Sequence, residues 1–434
     1  MKKKVFLRII LAILVIVIVL PLLYLAYDRI IMPPAPNWQI PQSYGNFSWE
    51  QSAKNYLASY SGDNALRDYL KAYSQIDNHK RTKEWNVMDE SVVKDRILDS
   101  SAIDKILVTY QDAIEDTLQG AKMQNCELPP FTYSFASPVP DYLRMQILTK
   151  FIILKGLTLE NENKYGEALD CYLAGLQFGK DIGQKDQPLI SRLVSIAVIT
   201  KNLKPIARLI NENKLSESEY RKIIEDTKRI EKEQANMWDA IEMEYRMAYT
   251  EFYRKKPIEI ALILNGPFGR KPNLGDRLVA SYIFLNRGHI LRSTKEFYSG
   301  IISDMKDHPF PKYIEISKNR GLPKNPLLKM TIPNFTGAVV REDIEINKLR
   351  LARINAALRL YQLKKNQWPS SLDELKPDYL TEIPKDVFSD MPFHWTMTSE
   401  GFVVYSVGPD TTDNSLQNLY DPTNGTMSKG DFAI

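Results

Sequence analysis

The chain has 434 residues, of which 57 are Lys or Arg and 53 are Asp or Glu, so its net charge is only +4. Such a close balance gives no basis for a polyanion partner, and we expect no nucleic acid binding. The two cysteines, Cys126 and Cys171, are far too few for a disulfide-rich scaffold. Whether they pair stays open, because one disulfide and two free thiols both fit the sequence.

The first 32 residues predict a transmembrane anchor. Three lysines at positions 2–4 and Arg8 precede an apolar run from Ile9 to Ala26. The run is about long enough to cross a hydrocarbon core of roughly 30 Å as a helix. Bulky residues follow it where a cleaved signal would have small ones, which favours retention of the segment. Because positive charge resists translocation, we expect a cytoplasmic N-terminus and an extracytoplasmic body, in the periplasm or at the cell surface.

Proline-rich stretches divide the rest of the chain. Residues 33–48 predict a stiff stalk that lifts the body off the bilayer. Residues 49–305 show apolar side chains at spacings of three and four and predict helices, interrupted by prolines within 128–140. Residues 306–343 predict a second linker, and 344–434 a small C-terminal module. The predicted fold is mostly α: an anchor, an all-helical domain and an α+β module with a β-hairpin.

One helix pair of the helical domain has the spacing of a tetratricopeptide-type repeat. In such repeats a small residue on one helix faces a small residue on the next, and Gly156 and Ala168 have the required separation. Tyr172 follows one turn later, where the repeat pattern has an aromatic ring. A solenoid and an ordinary antiparallel helix pair both stay open, because the sequence shows a single unit.

The C-terminal module begins with a long amphipathic helix. Its apolar stripe consists of Leu351, Ile354, Leu358 and Tyr361. Trp368 and Pro369 end this helix, and the pair Ser370 and Asp373 predicts a capping box at the start of a short helix from Ser371. After Pro392 the apolar spacing changes to two, which predicts a hairpin with its turn at Glu400 and Gly401.

Several motifs of this module occur in the order found in the globular part of type II secretion major pseudopilins. They are Ala357–Tyr361, Trp368-Pro369 followed by Leu372 and Leu375, Ile383–Asp386 and Tyr405–Asp410. The module thus resembles that family, and equally a group of membrane-anchored bacterial proteins that carry it at the C-terminus. The resemblance implies the pseudopilin fold and an accessory role in a secretion or pilus-like system. It does not imply polymerisation, because the anchor lacks an internal glutamate and does not continue directly into the module.

The resemblance also implies a metal site. Pseudopilins of this kind often bind calcium in the loop after their Tyr-Ser-x-Gly strand, which makes Asp410, Asp413 and Asp431 candidate Ca²⁺ ligands here. Calcium needs about six to eight oxygen ligands, which such a loop supplies from carboxylates and backbone carbonyls. The alternative is a solvated polar loop whose aspartates cap turns.

The sequence offers little for catalysis. The histidines at positions 79, 289, 308 and 394 are scattered and lack metal-ligand spacing. The densest group of carboxylates lies on the predicted helix Asn236–Tyr253 and includes Glu242 and Glu244. Its Met and aromatic residues are typical of a core, or of a groove for a peptide or lipid if they are exposed.

These patterns predict a protein that is not an enzyme. We expect a membrane-anchored extracytoplasmic scaffold with a protein partner and no cofactor other than the candidate calcium. The alternative is an envelope-acting hydrolase that uses Glu242 and Glu244 as its acid–base pair.

Overall fold

The computed structural model of the protein describes residues 15–43, 48–76, 82–266, 270–399 and 401–434. The structure is 65% helical and contains a small antiparallel sheet of two strands. The predicted mostly α fold with a β-hairpin near the C-terminus is thereby confirmed.

The first eight α-helices extend to residue 182. They are α1 (Leu20–Ile30), α2 (Trp49–Ser59), α3 (Leu66–Ser74), α4 (Lys83–Lys94), α5 (Ser100–Thr109), α6 (Gln111–Ala121), α7 (Tyr142–Asn161) and α8 (Tyr165–Ile182). A short π-helical segment, Val15–Val19, precedes α1. The predicted break at 128–140 lies between α6 and α7, because proline lacks the N–H that a helix interior requires.

The remaining helices follow residue 188. They are α9 (Leu189–Asn211), α10 (Glu217–Glu233), α11 (Met237–Arg254), α12 (Pro257–Asn265), α13 (Leu274–Asp307), α14 (Phe310–Arg320), α15 (Pro326–Thr331) and α16 (Phe335–Lys365). The segment 306–343, predicted as a linker, contains α14, α15 and the start of α16. The predicted module boundary at residue 344 lies inside α16.

Helix α1 is attached to the body at a kink in α13. Asn286 leaves the helical conformation, with φ −116° and ψ 19°. The buried carboxylate of Asp28 accepts hydrogen bonds from the N–H groups of Gly288 and His289, both at 2.8 Å, and so caps the second half of α13. Among the residues described from position 15 onward, no helix is both long and apolar enough to cross a membrane. Residues 1–14, where the predicted anchor starts, lie outside the described part.

The predicted stalk does not stand free where the structure describes it. Trp38 packs edge-on against Tyr245 and Tyr249 of α11, with ring centroids 5.6 Å away in each case, and its indole N–H donates to Thr250 at 3.2 Å. The hydroxyl of Tyr249 donates to the carbonyl of Pro34 at 2.9 Å. These contacts hold residues 34–38 along α11, because aromatic side chains gain more from packing there than from solvent exposure.

Helices α7 and α8 form the closely packed hairpin that the glycine spacing predicts. The side chain nearest to Gly156 is that of Tyr172, however, and not that of Ala168: a methyl group at position 156 would overlap the tyrosine ring. Tyr172 is fully buried and donates to Glu160 of α7 at 2.5 Å. The contact between the ring of Tyr172 and Gly156 therefore holds the two helices together. Its membership in a repeat family stays a prediction.

Helix α16 belongs to the core of the helical array. Its residues Leu349, Ala352, Ala356 and Leu360 are fully buried in a cluster with apolar residues of α7 to α10. Arg350 and Arg353 pair with Glu231 of α10 at 2.8 and 2.6 Å. The long helix of the predicted C-terminal module thus packs against the helical domain on one side and carries the hairpin on the other.

The rest of the module follows the predicted order with one change. After α16, the short helix predicted from Ser371 is a 3₁₀ helix, Leu372–Leu375, with Ser371 as its N-cap. The N–H of Ser370 donates to Glu374 at 2.9 Å, whereas Asp373 pairs with Lys376, so the capping partner is one residue later than predicted.

The hairpin itself is confirmed. Strand β1 (His394–Thr398) pairs with β2 (Gly401–Tyr405), and His394 lies opposite Tyr405. Glu400, part of the predicted turn, lies outside the described residues. The C-terminal tail returns to the sheet, where Ser406 and Phe432 exchange backbone hydrogen bonds of 2.9 and 3.0 Å.

Candidate functional site

A groove of about 480 Å³ lies between α6, α7, α8 and α10. We call it the four-helix groove. Its apolar lining comes from Leu118, Ala121, Leu159, Cys171, Leu173 and Ala174. Helix α8 contributes six of the lining residues, and four of them, Glu167, Asp170, Ala174 and Gln177, have the spacings of three and four that place them on one face of that helix.

The charges at the rim of the groove are only partly neutralised. Lys222 pairs with Asp170 at 2.5 Å, and Arg229 pairs with Asp226 at 2.9 Å. Lys122 and Lys155 also line the groove, and neither ammonium group has a partner among the residues described. The groove therefore combines an apolar floor with two cations that are available to a ligand.

The thiol of Cys171 lies in the wall of this groove and is buried. Burial raises its pKa to about 11, so it stays protonated and weakly nucleophilic at neutral pH. Cys126 is also free, and burial followed by the charge of Asp181 raises the pKa of its thiol. Of the two alternatives left open by the sequence, the structure has two free thiols.

The carboxylates of α11 do not form an acid–base pair. Glu242 binds Arg246 at 2.6 Å, whereas Glu244 accepts from the N–H of Leu189 at 3.0 Å and caps the start of α9. Residues two apart on a helix point about 200° apart, which explains the separate partners. Burial raises the pKa of Glu244. The Met and aromatic residues of the helix are largely core, including Met243, Met247 and Phe252.

In the C-terminal loop, the three calcium candidates accept hydrogen bonds from the protein. Asp431 is buried and accepts from the N–H groups of Asn414 and Leu416, at 3.0 and 2.8 Å. Asp410 accepts from the N–H groups of Thr412 and Gly430, both at 3.2 Å. Burial, followed by the charges of Asp413 and Asp410, raises the pKa of Asp431.

Asp413 completes this group. It accepts from the hydroxyl of Tyr405 at 3.1 Å and from the N–H of Ser415 at 2.8 Å, and it lies 3.1 Å from Nδ1 of His394. Within the described ranges, no group of three or more His, Cys, Asp or Glu side chains is placed to hold a metal. The hydrogen bonds give the three aspartates a role in closing the loop, and calcium binding there stays a prediction.

Sequence reasoning missed a buried charged cluster in the interior. Arg192 of α9 is 2% exposed and donates to Glu342 and Glu345 of α16, both at 2.9 Å. Glu342 also accepts from the N–H of Met237 at 3.0 Å, and Gln234 contacts both Arg192 and Glu345. Burial raises the pKa of Glu345 to about 7 against the opposing effect of Arg192. The sequence feature that could have revealed this cluster is Arg192 itself, an arginine inside an otherwise apolar helical stretch.

The remaining histidines take no part in a site. His289 contributes its backbone N–H to Asp28, and His308 is the exposed residue at the end of α13. His79 lies outside the described residues.

No family model, no curated protein and no solved structure matches the chain. The resemblance to pseudopilins therefore stays a prediction that rests on the motifs of the C-terminal module.

Proposed function

We propose that the protein is a membrane-anchored extracytoplasmic scaffold that binds a segment of a partner protein in the four-helix groove. The observation that supports this most directly is the groove itself, about 480 Å³ in volume, with an apolar floor and two unpaired lysines. Ligand-binding clefts typically have volumes of about 300 to 1,000 Å³ and apolar linings with a few polar groups. The resemblance of the C-terminal module favours an accessory role in a secretion or pilus-like system.

The groove chemistry favours a peptide segment with apolar and acidic side chains. An apolar side chain would cover Ala174 and Leu159, and a carboxylate would pair with Lys122 or Lys155. Lys155 is half-buried, so a pair with it contributes more than a pair with the exposed Lys122. Binding, not catalysis, is the better use of this site, because two of its three carboxylates, at 170 and 226, are already paired with cations.

The groove can be tested with a random peptide library and the purified full chain. Ala174 is half-buried in the groove wall, so Ala174→Trp fills the groove from within. We expect peptides enriched on the native chain to carry apolar and acidic residues and to bind the variant at least about tenfold more weakly.

The matched control is Val108→Trp on α5, where the side chain is 74% exposed and away from the groove. This control should leave peptide affinity unchanged, and both variants should melt like the native chain. Equal enrichment on the native chain and on Ala174→Trp would refute the groove as the binding site.

The membrane topology is tested separately. Because lysines at positions 2–4 precede the apolar run, a reporter fused after Ile434 should be active only outside the cytoplasm. Replacing the three lysines with glutamate should reduce this bias. Activity of the native fusion in the cytoplasm would contradict the proposed location while leaving the groove untouched.

A further inference from the structure

The first half of α13 has a buried face and an exposed apolar face. Val279 and Ile283 pack into the core, and Ile283 is fully buried. The opposite side carries apolar residues in contact with solvent, which we call the α13 stripe. Its members, with their exposed fractions, are Leu274 (74%), Leu278 (64%), Phe284 (48%) and Leu285 (38%). Arg29 of α1 lies over the ring of Phe284, 5.2 Å from its centroid, but the side chains of the stripe stay partly or largely exposed, and an exposed apolar patch of this kind indicates an external partner.

The surroundings of the stripe are basic. Between residues 254 and 287 the chain has seven Lys or Arg and two acidic residues, a net charge of +5. Asp276, one of the two, is neutralised by Arg270 at 2.6 Å. Lys271 and Arg277 are exposed next to Leu274 and Leu278. The partner of this face should therefore be apolar within and anionic at its surface.

The stripe ends where α1 meets the body. The hydroxyl of Tyr24 donates to Asn286 at 2.7 Å, and the guanidinium of Arg29 donates to the carbonyl of Phe284 at 3.2 Å. Phe284 and Leu285 thus lie level with the last turns of α1. The preceding residues of α1 are apolar and exposed, including Leu22 at 59% and Leu23 at 60%. The end of the α13 stripe at Phe284 therefore lies beside the N-terminal helix, whose apolar side chains are also exposed.

We propose that the α13 stripe lies in the headgroup region of an anionic bilayer, as a second membrane contact beside the anchor. This rests on the proposed membrane anchoring. Apolar side chains that enter the interface and cations that face anionic headgroups are the two features of a helix lying on a membrane. A lipid surface fits this face better than a protein does, because one end of the stripe lies beside α1, the helix that continues the proposed anchor.

The test uses the full chain in vesicles made of equal parts of phosphatidylcholine and phosphatidylglycerol. A bimane fluorophore is attached through Leu278→Cys in a background with Cys126→Ala and Cys171→Ala. Two matched positions are labelled in the same way: Leu22→Cys in α1 and Val108→Cys in α5, the latter 74% exposed. Quenching is measured with nitroxide-bearing lipid and with aqueous iodide.

We expect lipid quenching at positions 278 and 22, and iodide quenching at 278 several-fold weaker than at 108. Lys271→Glu with Arg277→Glu should reduce lipid quenching at 278 and leave it unchanged at 22. If iodide quenches the probe at 278 as strongly as the probe at 108, while lipid quenches the probe at 22, the second membrane contact is refuted and the anchor is retained. Protection from both quenchers at 278 would assign the face to a protein and also overturn it. A probe at 22 that is not in lipid overturns the anchor itself.

A second measurement avoids the cysteine replacements. Leu278→benzoylphenylalanine in the otherwise native chain should form lipid adducts on illumination, detectable by mass spectrometry. The same photoreactive group at Val108 is the control and should form none. Adducts at neither position would contradict the proposal independently of the quenching data.

Discussion

At the scale of single residues, the most unusual feature is the charged cluster around Arg192. A guanidinium removed from water is tolerated only where carboxylates and hydrogen-bond acceptors surround it, and Glu342, Glu345 and Gln234 provide them. One oxygen of Glu345, Oε1, has no hydrogen-bond partner among the residues described. The cluster joins α9 to α16, and removal of the Arg192 charge would leave two buried carboxylates uncompensated.

This cluster predicts a pH dependence of stability. Glu345 has an ordinary pKa of 4.5, and burial raises it to about 7 in the folded chain. Between these values the folded state holds a proton that the unfolded state has released, so the free energy of unfolding falls as pH rises. The decline due to Glu345 should be on the order of 3 kcal/mol. We expect Glu345→Gln to reduce the slope in denaturant unfolding measured from pH 4.5 to pH 7.

The control for this measurement is Glu315→Gln on α14, whose side chain is 64% exposed and pairs with Lys312. It should keep the slope of the native chain, because an exposed ion pair contributes little to the free energy of unfolding. Equal slopes for the native chain and Glu345→Gln would show that this carboxylate does not carry the pH dependence.

At the scale of elements, the hairpin of α7 and α8 depends on one close approach. Gly156→Ala places a methyl group against the buried ring of Tyr172. Alanine favours a helix over glycine by up to about 1 kcal/mol, but overpacking costs about 1 to 3 kcal/mol, so a net loss of stability is expected. Thermal or denaturant unfolding of the purified chain measures it.

Gly166→Ala is the matched control on the neighbouring helix. There the added methyl group meets only the carboxylate end of Glu219, which caps α10 by accepting from the N–H of Ser216 at 2.6 Å, and it meets no ring. This variant should lose less stability than Gly156→Ala. If both variants lose the same stability, the contact with the Tyr172 ring does not determine the result.

The elements also show what the sequence could and could not predict. The long helix, the hairpin at β1 and β2 and the break at 128–140 were predicted because periodicity and proline are local signals. The four-helix groove and the Arg192 cluster were not, because they join residues far apart in sequence, about 150 positions for Arg192 and Glu342. The capping residue is Glu374 where Asp373 was predicted, which is a difference of one residue in a 3₁₀ turn.

At the scale of the whole molecule, α16 makes the C-terminal module part of the helical body. Its buried face of Leu349, Ala352, Ala356 and Leu360 meets α7 to α10, while Leu358 and Tyr361 belong to the core shared with the hairpin. A helix with apolar residues on both sides needs both neighbours to cover it. The charged cluster around Arg192 fixes the same helix near its start.

This arrangement predicts that residues 344–434 do not fold alone. Without α7 to α10 the fragment exposes the apolar face of α16 and leaves Arg353 without Glu231. We expect it to lack a cooperative thermal transition by circular dichroism and to bind a dye for exposed apolar surface. A fragment of residues 33–434 is the control and should melt cooperatively. Cooperative melting of the short fragment would establish the module as an independent domain.

The packing of residues 34–38 against α11 has a consequence for how the protein meets its partners. A flexible linker would let the folded protein rotate above the bilayer. Here the contacts of Trp38 and the capping of α13 by Asp28 fix the orientation of α1 relative to the other helices. If α1 continues into the proposed anchor, the opening of the four-helix groove would keep a fixed orientation relative to the membrane. A partner in the same membrane would reach the groove by diffusion in two dimensions and already close to the orientation needed for binding. The effective concentration of that partner at the groove would rise without any added contact.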